Sequence, residues 1–66
     1  MRVTVNGKED ELEGGLTVAD LVARYRFEPR YVAVEVNRDL VPRRTFGTTA
    51  LKEGDEVEIV TLVGGG

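Results

Sequence analysis

Apolar and polar residues alternate over Met1-Arg2-Val3-Thr4-Val5, and the β-branched positions predict a strand at 1–5. Asn6-Gly7 follows, a pair suited to a two-residue hairpin because both positions of that turn need φ > 0. The return strand spans Lys8 to Leu12. Its carboxylates Glu9, Asp10 and Glu11, with Glu13 beyond, read as a solvated edge that resists pairing with other chains. Gly14-Gly15 breaks the pattern. Neither a P-loop nor a dinucleotide fingerprint is present, so these glycines read as a loop entering a helix. Thr17 is the expected N-cap, with Asp20 completing a capping box. Val18, Leu21, Val22 and Tyr25 then recur at helical spacing, as an ordinary core stripe. Arginines in the last turn suit the negative end of the helix dipole. Pro29 forces Glu28 out of helical geometry, so the helix is predicted over about 18–27.

Tyr31 to Val36 is the most strand-like run, with Val32, Val34 and Val36 on one face. Asn37-Arg38-Asp39 reads as a turn and Leu40-Val41 as a very short strand ended by Pro42. Residues 43–50 read as irregular, with Phe46 and Leu51 as anchors. Lys52 to Asp55 is a turn, and Glu56 to Leu62 a closing strand. The expected core is Val3, Val5, Leu21, Val22, Val32, Val34, Val57 and Ile59. If Glu56 and Glu58 face water, Val57, Ile59 and Thr61 face the helix. Val60 and Leu62 then share the water-facing side, an apolar patch with Ala33 or Tyr31 beside it. The order of hairpin, helix and strands predicts an α+β domain, with first and last strands adjacent in one sheet.

Composition narrows the chemistry. Sixty-six residues make one small domain, which leaves little core to wall an internal active site. The net charge of −3 and pI near 4.8 argue against nucleic-acid binding. No apolar run approaches the ~18 residues of a membrane span, and Met1 onward does not read as a signal peptide, so a cytoplasmic protein is expected. With no Cys and no His, there is no thiolate nucleophile, no cysteine metal site and no imidazole for proton transfer. The twelve carboxylates show no metal-loop spacing. The chain therefore reads as a protein acted upon by others, not as an enzyme.

The glycine run Gly64-Gly65-Gly66 follows Val63 directly after the closing strand. A run without side chains neither packs nor holds a shape cheaply. Extended, the four residues 63–66 reach roughly 13–14 Å, enough to pass a carboxylate into a narrow channel. The organisation is thus a domain over 1–63 and a tail over 64–66. The plain alternative is a frayed end.

Taken together, these residues resemble the ThiS family, the sulfur carrier proteins of thiamine biosynthesis. The resemblance rests on the Asn6-Gly7 hairpin, Gly15-Leu16-Thr17-Val18 with Leu21-Val22, and Val34-Glu35-Val36-Asn37. Val41-Pro42-Arg43, Gly54-Asp55-Glu56-Val57 and the glycine terminus complete it. It implies a ubiquitin-like β-grasp fold, with a mixed sheet of four to five strands on one helix. Gly65-Gly66 match the family's terminal pair. Gly64 stands where a small residue such as Ala is often found. The resemblance further implies that a ubiquitin-activating-like adenylyltransferase (ThiF type) uses ATP and magnesium to adenylate Gly66. Sulfur from a persulfide donor then replaces AMP, and the thiocarboxylate feeds a thiazole synthase (ThiG type). The chain itself binds no cofactor. On this reading Gly64 and Gly65 form the neck entering the partner. Val60, Leu62, Val63, Arg43 and Glu58 are the expected partner-binding residues. A molybdopterin synthase small subunit, a tRNA-thiolation carrier or protein modifier, and a β-grasp interaction module with an inert tail remain alternatives.

Overall fold

The computed structural model describes residues 1–62; Val63, Gly64, Gly65 and Gly66 lie outside the described residues. Five strands, β1 (Arg2–Val5), β2 (Lys8–Glu11), β3 (Val32–Val36), β4 (Asp39–Val41) and β5 (Glu56–Thr61), form one sheet in the order β2-β1-β5-β3-β4. The helix α1 (Val18–Arg24) lies between β2 and β3 in the chain. β1 and β5 run parallel, and every other pairing is antiparallel. First and last strands are thus neighbours, as the sequence predicts, and the acidic β2 is an edge.

All eight predicted core residues are buried, joined by Leu12, Val18, Val41, Phe46 and Leu51. The segment 43–51 holds no α-helix and no sheet strand, as predicted, but it is tied down as a strap. It opens with a 3₁₀ turn at Arg43–Thr45. It then binds the helix entrance through Val18 N–H to Thr49 O (2.9 Å), Ala19 N–H to Phe46 O (2.9 Å) and Leu51 N–H to Leu16 O (2.9 Å). Phe46 and Leu51 anchor it in the core. Leu21 is fully buried at the centre of this packing. Leu21→Ala is expected to lower stability by about 2–5 kcal/mol through lost transfer energy and a residual cavity. Chemical denaturation reads this as an earlier midpoint, and an unchanged midpoint would refute the core assignment.

The helix begins as predicted. Asp20 N–H donates to Thr17 Oγ1 (3.2 Å), and Thr17 N–H donates to Asp20 Oδ2 (2.9 Å). It ends three residues earlier than predicted. Arg26 takes φ 63°, Arg26 N–H bonds Ala23 O (2.9 Å), and Phe27 N–H bonds Val22 O (3.0 Å). This is a Schellman closure, which satisfies two terminal carbonyls and turns the chain before Pro29 is reached. An arginine at the left-handed position, where glycine is usual, hides the stop from sequence reading. Phe27 packs against the core. Tyr25 is correspondingly the C-cap and not a core position. It is 37% exposed, and its hydroxyl donates to Asp10 Oδ2 (2.8 Å).

Each strand differs from its predicted limits by one residue at one end, and the facing of Thr61 differs as well. Tyr31 belongs to a 3₁₀ turn at Pro29–Tyr31, so β3 starts at Val32. Asp39 joins β4, because the β3–β4 turn needs only Asn37 and Arg38, at φ 53° and 73°. Thr61 is exposed and not directed at the helix, because the burial alternation of β5 ends with Ile59. Among the described residues, no helix is long and apolar enough to cross a membrane.

Candidate interaction face

β5 presents two unlike faces. Val57 and Ile59 enter the core, while Glu56, Glu58 and Val60 face outward. The register extends this division across the sheet. Ala33 lies opposite Val60, Glu35 opposite Glu58, and Leu40 opposite Glu35. Val60 and Leu62 are each 53% exposed and Leu40 is 67% exposed. Ala33, Leu40, Val41, Pro42, Phe46 and Leu62 line a shallow groove of about 190 Å³. The expected pair Val60 and Leu62 is therefore exposed, and Ala33 lies beside it. Leu40 enlarges the patch. Only the β3–β4 register places it there, and no local pattern predicts that pairing.

The backbone at the end of β5 is tied down. Leu62 N–H donates to Tyr31 O (2.6 Å), which sets the last described residue against the 3₁₀ turn at 29–31. Arg43 reaches the same turn. Its Nε donates to Pro29 O (3.0 Å) and its Nη2 to Arg30 O (3.2 Å). Arg43 thus braces the chain exit as well as placing positive charge there. Arg30 lies 5.5 Å from the centroid of the Tyr31 ring, a cation–π contact. Charge is segregated along the chain. Residues 24–44 hold six arginines against Glu28, Glu35 and Asp39, whereas the remainder holds three basic and nine acidic residues.

Glu58 sits at the acidic side of the face. With Glu35, Glu56 and Arg38 it lines a second hollow of about 280 Å³. Glu35 and Glu58 are directly opposed, an arrangement that costs sheet stability. The Met1 ammonium, 3.1 Å away, holds Glu11 below the ordinary carboxylate range through a hydrogen bond and its charge. Partial burial, then the bond to Asp10, raises Tyr25 above the usual phenol range. Among the described residues, no group of His, Cys, Asp and Glu is placed to hold a metal ion.

Two asparagines, each expected from the sequence as a turn residue, hold β5 in position. Asn37 Nδ2 donates to Asp55 Oδ1 (2.9 Å), and Asn37 Oδ1 accepts from Glu56 N–H (3.0 Å). Asp55 is buried and also accepts from Lys52 N–H (2.8 Å). Asn6 Nδ2 donates to Ile59 O (3.1 Å), and its Oδ1 accepts from Ile59 N–H (2.7 Å). These bonds fix the strand that carries Val60 and leads into Leu62. The other proposed site residues, Val63, Gly64, Gly65 and Gly66, lie outside the described residues.

A mixed five-stranded sheet in this order, packed on one helix and carrying an exposed apolar face at the end of its last strand, defines a ubiquitin-like β-grasp domain. The chain belongs to the ThiS family, whose model matches residues 3–66. It is similar to the thiamine biosynthesis protein (ThiS) from Geobacter metallireducens, whose crystal structure superposes with a TM-score of 0.82 at 39% identity, covering 100% of both chains. The sulfur carrier protein ThiS of Bacillus subtilis is 35% identical over 63 residues, covering 94% of this chain and 96% of that protein. A thiazole synthase of Magnetococcus marinus is 39% identical over 66 residues, covering all of this chain. The chain spans only 20% of that protein's length.

Proposed function

We propose that this protein is a sulfur carrier of thiamine biosynthesis, acted on by partner enzymes at Gly66. The observation that carries this reading is the end of β5. A rigid strand with an exposed apolar face leads into a glycine run that the family match includes. Such a run is narrow enough to enter a partner's active site while the compact domain docks outside.

A carboxylate is a poor electrophile and needs activation. In the proposed sequence a Gly66 carboxylate oxygen attacks the α-phosphate of ATP, with magnesium, on an adenylyltransferase, and pyrophosphate leaves. The terminal sulfur of a persulfide attacks the acyl carbon and AMP departs. A thiol then cleaves the resulting S–S bond, leaving a thiocarboxylate on Gly66. The sulfur acceptor is a thiazole synthase. Support for that acceptor comes from the thiazole synthase relatives, which hold a counterpart of this whole chain within their own length. Joining carrier and acceptor in one polypeptide raises their effective concentration without any new contact.

Docking is assigned to the face formed by Val60, Leu62, Leu40 and Ala33. Glu58 flanks its acidic side, and the arginines near the chain exit flank the other. Apolar anchors at the centre of such a face dominate affinity, while rim charges set encounter rate and orientation. The reading is tested by incubating the protein with a cognate adenylyltransferase, ATP, magnesium and a persulfide donor, then weighing it intact. The expected result is the mass change of one oxygen-to-sulfur exchange, located in the C-terminal peptide. No exchange, or an exchange elsewhere, would overturn it.

A further inference from the structure

Asn6 and Gly7 form the turn between β1 and β2, with φ 50° and 85°. The left-handed geometry at both positions explains the pair as a hairpin turn. It does not explain why the Asn6 side chain leaves the turn and grips β5. Both ends of its amide bond Ile59, and its own backbone N–H donates to Val57 O (2.9 Å). The β1–β5 register covers only Thr4 opposite Glu56 and Val5 opposite Val57. Asn6 therefore prolongs a short parallel contact with a side chain that imitates a peptide group.

We propose that Asn6 is a deamidation site that the fold holds inert, and that its conversion irreversibly unlatches β5. The reaction needs only water. The deprotonated backbone nitrogen of Gly7 attacks Cγ of Asn6, forming a new C–N bond. The bond from Cγ to the side-chain nitrogen breaks, and that nitrogen leaves as ammonia. Water then opens the cyclic imide at either carbonyl, giving aspartate or isoaspartate. Gly7 suits this role because no side chain shields its nitrogen. The space where a Cβ would stand is also open, with nothing within 4 Å.

In the folded protein both ends of the Asn6 amide are held on Ile59, and the proposed attack needs that amide free to turn onto the Gly7 nitrogen. The reaction must wait for local opening, so its rate follows the open fraction. The product cannot restore the latch. An aspartate has no donor for Ile59 O and sets a carboxylate against that carbonyl. Isoaspartate also adds a methylene to the backbone of a two-residue turn. A molecule that has opened is thereby marked permanently, at the strand that carries Val60 and leads into Leu62. The chemistry depends on Asn6, Gly7 and Ile59 alone, whatever the fate of Gly66.

The test uses the wild-type protein at mildly alkaline pH, native and in denaturant, followed by peptide mapping with isoaspartate detection. Asn6 is expected to convert at least about tenfold faster when unfolded, as the open-state requirement demands. Asn37, whose following residue is Arg38, is expected to lag in the unfolded chain because a side chain hinders the attacking nitrogen. The deamidated protein and Asn6→Asp are expected to unfold at lower denaturant than wild type. Equal Asn6 rates in both states, faster conversion at Asn37, or a deamidated product as stable as wild type would each overturn the proposal.

Discussion

Adding one residue after Gly66 is expected to leave the domain folded and to abolish thiocarboxylate formation. The core that holds the fold lies between Val3 and Ile59, so a longer tail leaves it untouched. The effect falls on the reacting carbon, which moves by roughly 3.5 Å per added residue. A misplacement of about 1 Å can cost a hundredfold in rate, so activity should fall below detection. Gly65→Val should fail in the same assay, because a branched side chain widens the neck and restricts its backbone. Denaturation curves matching wild type, together with an unchanged intact mass after incubation, are the expected pair of results. An extended protein that gains sulfur as readily as wild type would exclude Gly66 as the reacting end. The inert-tail interaction module would then be the better account.

Val60→Asp is expected to weaken docking by at least about thirtyfold, corresponding to the ~2 kcal/mol loss typical of a central anchor. Val60 stands opposite Ala33 in the register, on the outer side of β5 between Glu58 and the Leu62 that follows the strand. An aspartate there puts an unpaired charge into the centre of the apolar patch and close to a second carboxylate. Because Val60 is half-exposed, the substitution leaves no cavity, and its effect on the sheet should stay within about 1 kcal/mol. Calorimetric or surface-based titration against the adenylyltransferase reads the loss, with circular dichroism reporting the fold. Normal binding by a folded Val60→Asp protein would show that the partner uses another face.

Much of this architecture was legible from local pattern, because strand and helix periods constrain which residues share a face. The two-residue period of β5 separates Val57 and Ile59 from Val60 before any partner strand is known. The Thr17–Asp20 box marks the helix start because both partners lie within one turn. The helix end was less legible, because its stop signal is a backbone conformation at Arg26, a residue type that seldom adopts it. The candidate face was legible in part. Val60 and Leu62 emerged from alternation, whereas Leu40 needed the β3–β4 register to join them.

The sequence by itself determined the strands to within a residue, the two asparagine-led turns, eight of the core residues and, through the chain of small motifs ending in glycine, the family resemblance. Those properties follow from steric preferences and periodicities acting within a few residues. Only the tertiary structure decided that Asn6 grips Ile59, 53 positions away, that Asn37 meets Asp55 across 18, and that Arg43 braces the Pro29–Tyr31 turn. Each of these contacts joins residues far apart in the chain. No local spacing encodes such pairs, because they exist only once the core has brought these distant segments side by side.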